Sequence, residues 1–90
     1  MIKHDHIAQF QEFRTIEALV HLLHNQPEEV LVNVVGALAE CAKEPDNRVT
    51  IRKSGGISPL VNLLTGTNQP LLVNTCLALR QCAEETDSIQ

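Results

Sequence analysis

Two histidines three residues apart are the first side chains in this sequence whose spacing could do chemistry. His21 and His24 would share one face of a helix, where two imidazoles can hold the same zinc ion. No cysteine or carboxylate stands at a matching spacing beside them, and His4 and His6 lie near the start of the chain. We therefore predict solvated histidines and no metal site.

The three cysteines and the glycine pair give no better basis for catalysis. An odd cysteine count does not indicate a disulfide framework, and Cys41 and Cys82 fall where a small core side chain is expected. Gly55-Gly56 follows a predicted helix rather than a strand, so it is not a phosphate-binding loop. No nucleophile, base and orienting group can be assembled. We predict no catalytic residue and no cofactor.

The composition also limits the possible partners. The chain has 90 residues and a formal net charge of −4, so it is one small acidic domain. The nearest approach to a basic patch is Arg48, Arg52 and Lys53, which we interpret as a solvated face rather than a phosphate site. No apolar signal region and no run of about 20 apolar residues is present. We predict no nucleic acid or membrane partner, and an intracellular protein.

An internal repeat sets the positions of the polar residues. Shifting the chain by 41 residues aligns residues 13–46 with 54–87 and gives fourteen identities without a gap. The aligned identities include Leu31-Val32-Asn33 with Leu72-Val73-Asn74, and Cys41-Ala42 with Cys82-Ala83. A period near 40–47 residues is typical of helical solenoids.

Hydrophobic spacing inside the repeat predicts helices. Ile16, Leu19, Val20 and Leu23 recur at the i, i+3, i+4, i+7 spacing, and the stripe repeats 41 residues later. Longer helices are predicted over 28–43 and 69–84. A short helix capped by Asp46 should precede the second stripe and end at Gly55-Gly56. A matching short helix near Ile7, Phe10 and Phe13 gives six helices, arranged short, middle and long in each copy.

The order of these elements resembles the armadillo repeat family. The resemblance is carried by Asp46-Asn47-Arg48-Val49, by Gly55-Gly56-Ile57-Ser58-Pro59-Leu60-Val61-Asn62-Leu63-Leu64, and by Leu71-Leu72-Val73-Asn74 with Ala78-Leu79. In the second copy, Ser58 and Pro59 suit a helix start. The resemblance implies an all-α, right-handed helical solenoid of about two three-helix repeats, over residues 1–45 and 46–90, that binds protein.

A narrower resemblance concerns armadillo-repeat proteins that dock outer dynein arms in motile cilia. It is carried by residues 23–38, 52–57 and 68–74. It implies a scaffold with docking-complex subunits as partners, in the cytoplasm or the axoneme. The alternatives are a general peptide-binding adaptor and the substrate-recruiting segment of a ubiquitin ligase, which would need a separate catalytic domain.

The resemblance also implies where a partner would bind, because long helices line the concave side of an armadillo solenoid. The candidate residues are Asn33, Gly36, Glu40, Asn74, Leu77 and Gln81. Importin-like repeats carry Trp where this chain has Gly36 and Leu77, and Asn where it has Glu40 and Gln81, so a nuclear localisation signal is not the expected ligand. A neutral or basic extended segment fits the mildly acidic face best.

The last repeat should leave apolar surface uncovered. Each solenoid repeat buries its apolar face on the next one, and stability usually needs about three repeats. We expect poorly covered Leu71, Leu79 and Cys82, and hence either further repeats in a longer parent or end-to-end self-association. At the other end, Ile7 and Phe10 are expected to cover the first repeat.

Overall fold

The computed structural model describes the backbone of residues 2–89 and the side chains of residues 10–83. Over that backbone the chain forms five α-helices and one 3₁₀ turn, with no strand. They are α1 (Ile2–His21), α2 (Glu28–Cys41), α3 (Pro45–Lys53), α4 (Ile57–Asn62), the 3₁₀ turn Leu63–Thr65 and α5 (Gln69–Ile89). The predicted all-α helical repeat fold is confirmed.

The first copy of the repeat differs from the prediction, because α1 is one helix where we expected a short one and a middle one. In the second copy Gly55 adopts a left-handed φ of 79° and ends α3. Arg14 and Thr15 stand at the aligned positions, and the Thr15 hydroxyl donates to the Gln11 carbonyl inside α1 at 2.9 Å. Without the glycines the helix continues, so the prediction of six helices is wrong.

Two of the predicted caps are also wrong. Glu44 is the residue before α3 and Pro45 opens the helix, so Asp46 lies inside it. The fixed φ of proline suits a first helical position, which explains the earlier start. Helix α4 begins at Ile57 after Gly56, which places Ser58 and Pro59 within its first turn. The helix ends also move, since α2 stops at Cys41 and α5 runs to Ile89.

Asn68 caps α5, a role that the sequence reasoning did not assign. Its side-chain oxygen accepts a hydrogen bond from the backbone N–H of Leu71 at 3.0 Å. That geometry satisfies one of the free amides of the first turn. The Asn68 amide also lies 3.4 Å from a carboxylate oxygen of Glu28, at the start of α2. The two long helices therefore begin side by side.

The core lies between the long helices and the helices behind them. Its fully buried large side chains come from every helix of the chain: Ile16, Val35, Leu38, Ile51, Leu60 and Thr75. Thr75 satisfies its hydroxyl by donating to the Leu71 carbonyl at 2.7 Å. Gly56 lies where α3 turns into α4, and a Cβ there would come within 3.0 Å of Ile51 and 3.1 Å of Val20. Only glycine permits this close approach.

Phe10 does not cover the first repeat in the way that we expected. Its side chain is 59% exposed, and its ring lies 5.7 Å below the guanidinium carbon of Arg14. This arrangement is a surface cation–π contact within α1. Phe13 is also exposed, and the side chain of Ile7 lies outside the described residues.

Candidate protein-binding surface

Two side-chain amides of α5 reach across to the backbone of α2. The Asn74 amide nitrogen donates to the Val32 carbonyl at 3.0 Å, and the Gln81 amide nitrogen donates to the Ala39 carbonyl at 3.1 Å. Both donors and both acceptors are seven residues apart, which is two helical turns. The long helices therefore run parallel and in register, with equivalent residues placed side by side.

Gly36 makes room for this contact. A Cβ at this position would lie 3.1 Å from the Asn74 amide nitrogen, closer than side-chain carbons normally approach. The absence of a side chain lets Asn74 lie flat against α2 and reach the Val32 carbonyl. Gly36, Asn74 and Gln81 are thus brought together, and all three are half-buried.

The other three candidate residues lie on the two sides of this contact. Asn33 and Glu40 are exposed on α2, where the Asn33 amide donates to the Glu29 carbonyl at 3.3 Å and Glu40 pairs with Lys43 at 3.0 Å. Leu77 is 44% exposed on α5. The predicted face is therefore divided into a polar edge on α2, a half-buried amide row and an apolar edge on α5.

The apolar edge is larger than the sequence reasoning indicated. Around Leu77, the side chains of Leu72, Val73, Cys76 and Arg80 line a depression of about 340 Å³. Val73 is 58% exposed, and Cys76 and Arg80 are exposed. The expectation that Leu71 and Cys82 are poorly covered is wrong, because both are buried against the chain's own helices. The uncovered apolar surface lies on the opposite side of α5.

Side chains from two other helices donate hydrogen bonds to backbone carbonyls in the last turn of α2 and directly after it. Besides Gln81 on Ala39, the Asn47 amide donates to the Cys41 carbonyl at 2.8 Å. The Arg48 guanidinium donates to the Ala42 carbonyl at 2.6 Å and to the Lys43 carbonyl at 3.2 Å. Helix ends need such partners when they are not solvated.

This network corrects the interpretation of Arg48 as part of a solvated basic face. Its guanidinium is half-buried and directed at backbone carbonyls, so the charge stabilises the negative end of the α2 dipole. Asn47 is buried and also donates to a Glu12 carboxylate oxygen at 3.2 Å. An Asn and an Arg a few residues after a helix could have been expected to serve that helix's last carbonyls.

Cys41 and Cys82 do not have the environment of a reactive thiol. Burial raises the pKa of Cys41, and the nearby Glu12 and Glu40 carboxylates raise it further. Burial also raises the pKa of Cys82, although the positive charges of Arg48 and Arg52 partly lower it. A nucleophilic cysteine needs a lowered pKa. Among the residues whose side chains are described, no three His, Cys, Asp or Glu groups are placed to hold a metal ion.

One family model matches the second half of the chain. Residues 44–84, which include α3, α4, the 3₁₀ turn and most of α5, match the armadillo/beta-catenin-like repeat. This part of the chain is therefore similar to an armadillo repeat. No curated protein matches the chain. Within residues 2–89, no helix is both long enough and apolar enough to cross a membrane.

The match gives the long helices a functional meaning. Armadillo repeats are typically binding scaffolds for other proteins rather than catalysts, and α5 is the long helix of the matched repeat. The amide row joins α5 to α2, which precedes the matched residues. The NH₂ groups of Asn74 and Gln81 already donate to carbonyls of α2, so a partner could hydrogen-bond only to their remaining atoms without displacing them.

Proposed function

We propose that this chain is a protein-interaction scaffold that binds an extended protein segment along α2 and α5. The observation that carries the proposal is the pair of oriented amides, Asn74 and Gln81. Their NH₂ groups are held by carbonyls of α2. A carboxamide also has an oxygen that accepts hydrogen bonds, so each side chain can accept a backbone N–H from a bound segment without leaving α2.

The edges of this surface suggest the chemistry of the segment. Leu77 and Val73 supply exposed apolar area on one side, and Glu29 and Glu40 supply carboxylates on the other. Lys43 already pairs with Glu40, which leaves the polar edge only mildly acidic. An extended segment that combines apolar with neutral or basic side chains fits both edges. Anchoring by a large apolar side chain would then provide most of the binding energy.

A peptide selection tests the proposal. We would select linear 12-residue peptides from a random phage-displayed library on the wild-type chain and measure affinities by fluorescence anisotropy. Leu77→Glu should weaken binding about tenfold or more, because it places a charge in the apolar edge. Val61→Glu is the matched control, since Val61 is 48% exposed on α4. Failure to select any peptide, or equal losses in both variants, would count against this surface.

The more specific form of the proposal is that the partner belongs to the machinery that docks outer dynein arms. Its support is the resemblance carried by residues 23–38, 52–57 and 68–74. A tagged protein in ciliated cells should then lie along the axoneme, and its removal should deplete outer arms. A protein spread through the cytoplasm, with intact arms after its removal, would favour the general adaptor.

A further inference from the structure

Each of the two long helices has an exposed face whose equivalent on the other helix, 41 residues away, is covered inside the chain. On α2, an exposed face is formed by Val30, Asn33, Ala37 and Glu40. Forty-one residues later, the equivalent residues of α5 are buried or half-buried: Leu71, Asn74, Ala78 and Gln81. The first set thus has the residue types and spacing that α5 uses against the rest of the chain, but within the described side chains it is not covered.

The converse holds on the other side of the helices. On α5, the exposed face is formed by Val73, Cys76, Leu77 and Arg80. The equivalent residues of α2 are buried or half-buried beside α5: Val32, Val35, Gly36 and Ala39. The exposed face of α5 therefore corresponds, through the repeat, to the face of α2 on which α5 packs.

We infer that the exposed face of α5 binds the exposed face of α2 in a second copy of this chain, in the register that α5 already uses on α2. The contact between α2 and α5 inside the chain is the template for this association. The exposed face of α2 is equivalent to the side of α5 in that contact, and the exposed face of α5 is equivalent to the side of α2 in it. In this arrangement Asn33 can donate to the Val73 carbonyl of the neighbouring copy, as Asn74 donates to Val32.

Charge complementarity supports a second copy as the occupant. Inside the chain, Gln81 donates to the carbonyl of Ala39. Between copies, the equivalent pair is Glu40 of one copy and Arg80 of the other. A carboxylate cannot donate to a carbonyl, but the Arg80 guanidinium can donate to the carboxylate. An ion pair thus replaces the amide contact, and Glu40 exchanges its exposed partner Lys43 for Arg80.

Leu77 makes the contact between copies looser than the internal one. Leu77 stands where α2 has Gly36, and even a Cβ at Gly36 would lie 3.1 Å from the Asn74 amide. Leu77 must therefore displace the Asn33 side chain of the neighbouring copy. We expect weak, reversible association rather than an obligate assembly. Because the two faces differ, the contact is head-to-tail and can extend beyond a dimer.

Sedimentation velocity of the whole chain, under reducing conditions from about 1 µM to about 1 mM, measures this association. The weight-average mass should rise steadily with concentration. Glu40→Arg and Arg80→Glu should each weaken association about tenfold or more, because each places like charges at the contact. The matched controls are Glu44→Arg and Lys53→Glu, both exposed and outside the two faces. Circular dichroism checks that every variant keeps its helices.

Mixing the two variants gives the sharpest test. An equimolar mixture of Glu40→Arg and Arg80→Glu should associate as the wild type does, because every contact between unlike variants joins opposite charges. A wild type that stays monomeric at all concentrations would overturn the inference, as would a mixture that does not recover. Loss of association by Arg80→Glu alone, with Glu40→Arg unaffected, would also overturn it, since a symmetric α5–α5 dimer gives that result. Glu40, Val73 and Leu77 belong to both proposed surfaces, but this test uses no peptide ligand, so its failure can be told apart from failure of the peptide selection.

Discussion

Helices α2 and α5 hold the same place in the repeat, yet they bury different sides. α2 buries Leu31, Val34, Val35, Leu38 and Ala39, whereas α5 buries Leu71, Thr75, Ala78 and Cys82. When the two sets are aligned by the 41-residue shift, only Val34 and Thr75 are buried at the same position. A repeated sequence pattern therefore does not give a repeated environment when the number of neighbours differs.

The cause of the difference is the position of each helix in the stack. Helix α5 has α2, α3 and α4 along one side, so the opposite side is exposed. Helix α2 lies between α1 and α5. The side of α2 that is exposed corresponds, through the 41-residue repeat, to the side of α5 that faces the other helices. Identical residues at equivalent positions should then contribute unequally to stability, which gives direct tests of the comparison.

The largest difference should appear at Leu38 and Leu79, which are aligned by the repeat. Leu38 is fully buried and Leu79 is half-buried. Leu38→Ala should lower the free energy of unfolding by about 2–5 kcal/mol, since it removes buried methyl groups and leaves a cavity. Leu79→Ala should cost less than about 2 kcal/mol. Urea denaturation followed by circular dichroism measures both. Equal losses would mean that the two helices are equally covered.

The second copy of the repeat could be predicted from the sequence more fully than the first. The Gly55-Gly56 pair and the stripe from Ile57 to Leu64 mark their elements through local sequence preferences. The first copy has the same stripe, but it has Arg14 and Thr15 where the second copy has its glycines. The predicted break between a short and a middle helix is therefore missing there, and α1 is continuous. Arg14 and Thr15 only allow a helix to continue, so they predict its course less clearly than Gly55 and Gly56 predict a helix end.

The sequence predicted that the candidate residues lie on the long helices, but not that they separate into a polar edge, an amide row and an apolar edge. Spacing placed Asn33, Asn74 and Gln81 on the long helices, as the structure has them. It could not show that the amides of Asn74 and Gln81 turn towards α2, because that depends on the distance between two helices. For the same reason Leu71 and Cys82 were expected to be exposed, although α5 buries them. Periodicity finds the stripes of a helix and leaves open which neighbour covers each one.

The amide row offers a smaller test of the comparison. Gln81→Ala should cost about 0.5–1.5 kcal/mol of stability, because the Ala39 carbonyl at the end of α2 loses its side-chain donor. The equivalent Glu40→Ala removes only an exposed pair with Lys43 and should change stability by less than about 0.5 kcal/mol. The same urea titrations measure both variants. A larger loss for Glu40→Ala would show that the exposed Glu40 pair, and not the Gln81 amide, stabilises the end of α2.

The smallest expected effect concerns Gly36 and the amide that lies against it. Gly36→Ala should gain about 1 kcal/mol from helix propensity, but the new methyl group pushes Asn74 off the Val32 carbonyl and offsets that gain. The net change in the wild type should be close to zero. In an Asn74→Ala background the methyl group meets no amide, so the full gain should appear. A double-mutant cycle by urea denaturation therefore gives a coupling of about 1 kcal/mol. The same gain in both backgrounds would mean that Asn74 moves aside freely, and that the amide row is too loosely held to orient a bound segment.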